Sequence, residues 1–402
     1  MYSYAMKNIL PRLAVLLMLG VAVCCTRSRE SVSSPKTSTE RTFHLDMKSL
    51  SRVIAERAKL QPGERVLLIV RPGEFDSMIY HLSQEISAAK GVYLGAISVS
   101  GEGNTDWETD FTRQTANQSR TNMSAQFQSV DLAIMLPGTD TTHMPYAAMQ
   151  DVLWEGKGRT IHFHWAGAYQ MNGAVMERSQ QMDQTYQVAT LNTDYDLIAE
   201  EHLQFEQAMR SGAVRVTTPL GTDIRFLVGD RPVTRQDGDA SRRRSETAAN
   251  FIDREIELPA GAVRVAPVEE SVEGKIAFPT MIWKGTTVKG LVMTLRRGKV
   301  VEMTAEEGIE AVRMELDSAG PGATSFREFA LGFNPWLAVP EVGPQWIPYY
   351  GYGAGVVRLS LGDNRELGGR VRGGYIRWNF ITDATVAVGQ EIWIKNGKLV
   401  KF

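Results

Sequence analysis

The chain has 402 residues and a formal net charge of −2, from 44 Lys and Arg against 46 Asp and Glu. A single compact core rarely grows to this length, so we expect two domains. The near-neutral charge and the lack of a long basic run argue against nucleic-acid binding. The only cysteines are Cys24 and Cys25, which excludes a disulfide framework, a thiolate metal site and a cysteine nucleophile from the rest of the chain.

The N-terminus has the pattern of an export signal. Lys7 and Arg12 precede an apolar stretch at residues 13–23, which is shorter than the about 20 residues of a membrane span. The stretch ends at Cys24 and resembles the cleavage site of bacterial lipoproteins, in which that cysteine is acylated. We therefore predict a signal peptide at residues 1–25 and a flexible Ser/Thr-rich tether at 26–45. The protein is then exported to the cell envelope and lipid-anchored to a bacterial membrane; a plain secretory signal is the alternative.

Residues 46–205 alternate between strand-like and helical patterns. Continuous apolar runs at 65–70, 92–98, 130–136 and 160–165 are separated by stretches with helical spacing. Such runs are typical of parallel strands that are covered on both faces. We predict an α/β domain with a mostly parallel sheet. No G-x-G-x-x-G follows the first strand, so nothing indicates a dinucleotide.

Residues 206–402 have a different pattern. Two alternating segments at 214–218 and 222–226 flank a Pro-Leu-Gly turn, which indicates a β-hairpin. Further strands are predicted near 263–267, 275–278, 291–295 and 299–303, with a helix at 306–317. We predict a strand-rich α+β domain, joined to the first by a helix at 194–210.

Several blocks in this second half occur in the order of a known family. They are VRVTTPLGTDIRFLVGDR, ELPAGAVRVAPVEESVEGKIAF, FREFALGFNP, VRLSLGDN and YIRWNFITDATVAVGQEIWIKNGKL. In this order they resemble the thermophilic metallo-aminopeptidases, of the aminopeptidase T or leucyl aminopeptidase type. The resemblance implies a thermophilic metalloprotease-like fold with the active site in the C-terminal domain, and a homodimer.

The resemblance also implies a two-metal site, but most of its ligands are substituted. The family's first glutamate falls on Ala262 and its second on Glu328. Its first histidine falls on Arg358, and its His-x-Asp pair falls on Arg377 and Asn379. None of the six histidines lies beyond His202, so no shift of register restores a histidine ligand. Relatives that cleave dihydroxypyridine rings with iron need two histidines and an aspartate there as well, and that function is excluded on the same ground.

Two functional interpretations follow from these substitutions. One is an aminopeptidase-like enzyme with an altered metal site that includes Glu328, using zinc or cobalt if the family chemistry persists. The other, in which no cofactor is expected, is a non-catalytic lipoprotein that binds a peptide, a small anion or a partner protein. In that case Arg358, Arg377 and Asn379 form a binding site, and the two guanidiniums either replace the ions beside Glu328 or hold a ligand carboxylate. A plainer interpretation makes the arginines surface residues of strands.

A second histidine pattern lies in the first half of the chain. His162 and His164 alternate on a predicted strand and therefore share one face. They form either a joint metal site or a hydrogen-bonded pair without a metal.

Overall fold

The computed structural model describes residues 43–101 and 105–401, which fall within one compact unit. The predicted signal peptide, Cys24 and the tether up to residue 42 lie outside the described residues. Among the residues that are described, no helix is both long and apolar enough to cross a membrane.

The first half of the chain alternates helices and strands, as its apolar runs predict. Strand β1 carries the sequence RVLLIV and is buried along nearly its whole length, because helices cover both faces of the sheet. The elements of this half are α1 (Met47–Ala58), β1 (Arg65–Val70), α2 (Asp76–Ala88), β2 (Val92–Ser98), α3 (Asp110–Thr115), α4 (Arg120–Phe127), β3 (Leu132–Met135), α5 (Met144–Trp154), β4 (Arg159–His162), β5 (Tyr169–Gln170), α6 (Gln180–Asn192) and α7 (Tyr195–Ser211).

The second half is dominated by strands. The predicted hairpin forms from β6 and β7, and the predicted helix forms as α9. The elements are β6 (Val214–Thr217), β7 (Asp223–Phe226), β8 (Val233–Gln236), α8 (Arg242–Glu246), β9 (Glu255–Glu257), β10 (Ala262–Val265), β11 (Glu273–Ala277), β12 (Met281–Trp283), β13 (Thr286–Val288), β14 (Val292–Arg296), β15 (Lys299–Thr304), α9 (Ile309–Ala319), β16 (Phe326–Gly332), β17 (Trp346–Ile347), β18 (Val357–Gly362), β19 (Ile376–Arg377), β20 (Phe380–Ile381), β21 (Thr385–Val388), β22 (Glu391–Lys395) and β23 (Lys398–Leu399).

Most of these strands form one parallel and two large antiparallel sheets, while β12 with β13 and β5 with β17 form two-stranded sheets. The parallel sheet has the order β2-β1-β3-β4-β9. The central antiparallel sheet has the order β19-β18-β16-β10-β8, with β20 also paired to β18, and the outer one has the order β15-β14-β11-β7-β6-β21-β22-β23. The predicted fold class, an α/β half with a parallel sheet followed by a strand-rich α+β half, is confirmed.

One strand from the second half of the chain, after the predicted boundary at residues 205 and 206, belongs to the sheet of the first half. Strand β9 follows five elements of the second half or its linker, yet it pairs in parallel with β4 at the edge of the first sheet. Because β9 leads directly into β10 of the central antiparallel sheet, the two sheets are linked by a few residues. The domain boundary itself stays a prediction.

Candidate functional site

The central antiparallel sheet places two arginines on either side of a small residue. Arg264 of β10 is paired with Ala330 of β16, and Ala330 is paired with Arg358 of β18. Residues in such a row project from the same face of the sheet. The methyl group of Ala330 leaves space between the two long side chains, and Glu328, two residues earlier on β16, projects into it.

Glu328 is completely buried and forms ion pairs on both carboxylate oxygens. Its Oε1 accepts a hydrogen bond from Arg358 Nε at 2.9 Å and a second one from Arg358 Nη2. Its Oε2 accepts from Arg264 Nη2 at 3.1 Å. The two guanidiniums therefore hold the carboxylate from opposite sides, in a geometry that charge-assisted hydrogen bonds favour.

A third arginine reaches the same carboxylate because β16 is irregular. Successive residues of a strand normally point to opposite faces, but the register of β16 against β18 shifts between Phe326 and Glu328. A bulge of this kind re-aims a side chain. Arg327 is buried, its Nε lies 3.3 Å from Glu328 Oε2, and its Nη2 pairs with Glu366. We call Arg264, Arg327, Glu328 and Arg358 the arginine–glutamate cluster.

The cluster holds Glu328 in its charged form. Burial on its own raises the pKa of this carboxyl group, but the positive charges of Arg264, Arg358 and Arg327 outweigh burial and bring the pKa well below its ordinary value. On Arg264 the two effects have the opposite sign. Burial alone lowers the pKa of its guanidinium, but the negative charge of Glu328 outweighs burial and raises the pKa above its ordinary value. Glu328 is therefore ionised throughout the neutral and mildly acidic range.

Arg377 and Asn379 belong to a neighbouring group of contacts. Arg377 Nη1 donates to Glu315 of α9 at 2.9 Å, its Nη2 donates to the carbonyl of Ile282 at 2.8 Å, and its Nε donates to Asn379 Oδ1 at 3.3 Å. The guanidinium also lies 3.4 Å from the ring centroid of Trp283. The predicted convergence on Glu328 thus holds for Arg358 and not for Arg377, because Arg377 pairs with its own carboxylate on α9.

The surface interpretation of the two arginines also fails for Arg358, which is 2% exposed. Its remaining donor, Nη1, bonds to the carbonyl of Tyr350 at 2.9 Å, and its guanidinium lies 5.0 Å from the ring centroid of Trp378. Tyr349 and Tyr350 both have positive φ angles, of 37° and 54°, which are uncommon for aromatic residues. Contacts with the surrounding structure are needed to hold the backbone in such conformations. Here the backbone directs the Tyr350 carbonyl toward Arg358.

A second buried cluster lies at the carboxyl ends of the parallel strands. His162, the last residue of β4, is paired in register with Glu257, the last residue of β9. His162 Nδ1 is 3.7 Å from Glu257 Oε1, and His164 Nδ1 is 3.9 Å from Glu257 Oε2. Ligand atoms of His162, His164 and Glu257 all lie within 4.8 Å of one another. We call these three residues the histidine–glutamate cluster.

Neighbouring groups fix the protonation of this cluster. Burial lowers the pKa of His162, but the charges of Glu255 and Glu257 reverse this and raise it above its ordinary value. Burial lowers the pKa of His164 to about 4. Burial raises the pKa of Glu257, but its contacts with His162 and His164 bring it to about 2. His164 is therefore neutral and Glu257 is charged at neutral pH.

Comparisons with known proteins relate the chain to one family. Residues 193–336 match a family model described as thermophilic metalloprotease (M29). Wild-type AmpT from Thermus thermophilus has a similar structure, with 16% sequence identity, a TM-score of 0.56, and coverage of 88% of this chain and 99% of AmpT. The predicted resemblance to the thermophilic metalloproteases is confirmed.

The same fold also occurs in 2,5-dihydroxypyridine dioxygenase from Pseudomonas putida KT2440. That structure has 13% sequence identity and a TM-score of 0.57, with coverage of 89% of this chain and 97% of the dioxygenase. No curated protein matches the chain. At these identities the similar structures establish the fold alone.

The residues that the resemblance places at the family's metal positions do not fit metal ions. Ala262 offers no ligand atom, Arg358 and Arg377 bring positive charge, and Glu328 already has two guanidiniums on Oε2 and one on Oε1. A divalent cation would have to displace buried guanidiniums, and leaving each of them unpaired costs several kcal/mol. The donors of Arg358 and Arg377 are likewise engaged within the protein, so they do not present an open site for an anion.

Sequence reasoning identifies Glu328 and Arg358 but misses Arg264 and Arg327 beside them, and Glu257 in the histidine–glutamate cluster. Arg264 stands two residues after Ala262, and period-two alternation puts both on one face, which is a usable signal. Arg327 gives no such signal, because only the bulge turns it toward Glu328. Glu257 is missed as a partner of His162 because no local pattern predicts the short strand β9.

Proposed function

We propose that this chain is an exported aminopeptidase-like protein that does not hydrolyse peptides at the site used by its family. The observation that carries this proposal is the arginine–glutamate cluster. The retained glutamate is 0% exposed and is held by three guanidiniums.

The chemistry of arginine supports the proposal. Metal-dependent hydrolysis requires an ion that lowers the pKa of a bound water and polarises the substrate carbonyl. A guanidinium supplies fixed positive charge, but it does not deprotonate at accessible pH and cannot act as a general base. Asn379 and Ala262, at two further ligand positions, are neutral. The substituted residues therefore balance the negative charge of Glu328, but they cannot activate a water molecule for hydrolysis.

We predict that the purified full chain releases no amino acid from N-terminal amino-acid amides above the metal-only blank, with added zinc or cobalt. The reason is that no water-activating ion can occupy the cluster. The measurement is product release at several enzyme concentrations, with and without a chelator, because true catalysis scales with enzyme and is lost on chelation.

Hydrolysis that scales with enzyme and disappears in Glu328→Gln would contradict the proposal. Hydrolysis that persists in Glu328→Gln but disappears in His164→Ala would contradict the prediction of no product release. It would leave the proposal for the family's site intact and would place the activity at the histidine–glutamate cluster. The two variants thus separate the two sites.

The export and lipid anchor are part of the same proposal and rest on residues 1–25. We expect the double variant Cys24→Ala/Cys25→Ala to leave the membrane fraction or to accumulate unprocessed, because no thiol remains for acylation. Fractionation of producing cells and the mass of the mature N-terminus test this. Unchanged membrane association of the double variant would rule out the lipid tether.

Peptide binding is the function we favour for a chain without aminopeptidase activity. We also propose that the chain forms a homodimer. A groove of about 590 Å³ is lined by residues that include Met171, Pro340, Glu341, Thr382 and Lys398. This volume is within the range of ligand pockets, and the exposed Glu341–Lys398 ion pair at 3.0 Å offers charges of both signs to peptide termini. A fluorescein-labelled tripeptide, followed by anisotropy, is the probe for this alternative.

A further inference from the structure

We propose that His162, His164 and Glu257 bind one divalent transition-metal ion of the zinc class. This site is distinct from the family's metal positions, which lie on the central antiparallel sheet. Two imidazoles and one carboxylate are a donor set that suits zinc and its neighbours. Three protein ligands leave one position for water or a ligand.

The distances between the donors are longer than those of a formed site. Ligand atoms around a tetrahedral zinc ion with bonds of 2.0–2.1 Å are about 3.4 Å apart. The two distances from histidine Nδ1 atoms to the oxygens of Glu257 are 3.7 and 3.9 Å. These two distances end on different oxygens of Glu257, and one ligand atom from each of the three residues lies within 4.8 Å of the others. Side-chain rotation therefore has to draw the donors together by up to about 1.4 Å to bind the ion.

The backbone places the three ligands without help from the metal. His162 and Glu257 are register partners on neighbouring parallel strands, and His164 follows His162 by one strand period. In open α/β sheets, ligands bind at the carboxyl ends of the strands, where all three residues lie. A site built on strands is more precisely positioned than one built on loops.

Outer contacts orient the ligands as they do in known metal sites. His162 Nε2, the ring nitrogen away from Glu257, lies 3.0 Å from Thr160 Oγ1 and 3.6 Å from Glu255 Oε1. The Tyr349 hydroxyl donates to Glu257 Oε2 at 3.0 Å. A ligating histidine whose second nitrogen faces a carboxylate is the usual arrangement around zinc.

One polar atom of the cluster lacks a partner within the described protein. His164 Nε2 is buried and makes no hydrogen bond, which is costly for a ring nitrogen. An ion bound at Nε2 would give this nitrogen a partner, whereas an ion bound at Nδ1 would leave it unpaired. The side chains of His164 and Glu257 are each 15% exposed, so an ion has a route to the cluster from that side.

The test is metal binding by the purified full chain. After incubation with zinc and desalting, we expect about one equivalent per chain, and cobalt is expected to give the visible absorption of a tetrahedral site. His164→Ala and Glu257→Gln should each weaken zinc binding at least about tenfold. His44→Ala, which removes an exposed histidine, is the matched control and should bind as the parent does.

Circular dichroism of each variant shows whether it is folded, and His164→Ala is preferred because its ring nitrogen Nε2 has no partner to lose. Less than a tenth of an equivalent of zinc in the folded parent would overturn the proposal. So would a folded His164→Ala that binds zinc like the parent, since this would place the ion elsewhere. Loss of zinc in Glu328→Gln but not in His164→Ala would place it at the arginine–glutamate cluster.

Discussion

Replacement of Glu328 by glutamine is expected to lower the free energy of unfolding by about 3–5 kcal/mol, the usual cost of removing one partner from a buried ion pair. The side chain keeps its shape but loses its charge, so Arg358 is left buried without the carboxylate with which it forms an ion pair. Arg264 and Arg327 are less affected because both also pair with Glu366. Urea-induced unfolding followed by circular dichroism measures the change.

Glu270→Gln is the matched control for this substitution. Glu270 forms an ion pair with Arg370 at 2.6 Å, but both side chains are about half exposed, at 46% and 62%. Exposed pairs contribute about 0–1 kcal/mol. A loss in Glu328→Gln no greater than in Glu270→Gln would show that the arginine–glutamate cluster does not hold the carboxylate in solution.

The loss of stability caused by Glu328→Gln is expected to depend on pH. The pKa of Glu328 is lowered in the folded protein from an unfolded value of 4.5, so its charged form is stabilised by folding. This contribution is complete above the unfolded pKa and is lost as the pH falls below it. The difference in stability between the parent and Glu328→Gln should therefore be constant at neutral pH and shrink once the pH drops below about 4.5.

The fold could be predicted from the sequence where local patterns decide the structure. The apolar run of β1 and the hairpin of β6 and β7 have strong signals, because a strand covered on both faces is apolar throughout and a hairpin needs a turn at a fixed place. Strand β9 has three residues, and its register partners on the parallel strand β4 lie 95 positions earlier, as Thr160 and Glu255 show. Its pairing is decided by the packing of the whole chain, which no local pattern reveals.

The arginine–glutamate cluster could be predicted only in part for the same reason. The resemblance to the family predicts Glu328 and Arg358 as site residues, because each lies within a block that resembles one of the family's motifs. Arg377 is one strand period from Asn379, but β19 pairs Arg377 with Leu361 instead of the row that contains Arg358. Its side chain therefore meets α9 and Glu315. Cross-strand register is a tertiary property, and the step of three positions from Arg358 to Leu361 along β18 is enough to separate the two arginines.

The two clusters influence each other electrostatically. The positive charge of Arg264 contributes to lowering the pKa of Glu257. Both residues also act on Tyr352, whose pKa Arg264 lowers and Glu257 raises. Arg264 therefore serves two purposes. It neutralises Glu328, which the resemblance places at a metal-ligand position of the family, and it adds to the larger effect of His162 and His164 that lowers the pKa of Glu257.

Arg264 is also expected to decide whether the family's metal site can be rebuilt. A fourfold variant with Ala262→Glu, Arg358→His, Arg377→His and Asn379→Asp restores the ligand types at the substituted positions. Arg264 would remain on β10, two residues from the carboxylate introduced at position 262 and 3.1 Å from Glu328 Oε2. It would pair with both carboxylates, and a cation cannot compete with a buried guanidinium for them.

We therefore expect the fourfold variant to bind no zinc at this position and a fivefold variant that adds Arg264→Ala to bind it. Both are made in the His164→Ala background, so that the proposed histidine–glutamate site does not contribute. Zinc retained after desalting and the absorption of bound cobalt measure the difference, from none to at least one equivalent. Equal zinc binding by the two variants would show that Arg264 is not the obstacle. A folded fivefold variant without zinc would show that the family's ligand positions do not correspond to these residues, since the charge that excludes the ion would then be gone.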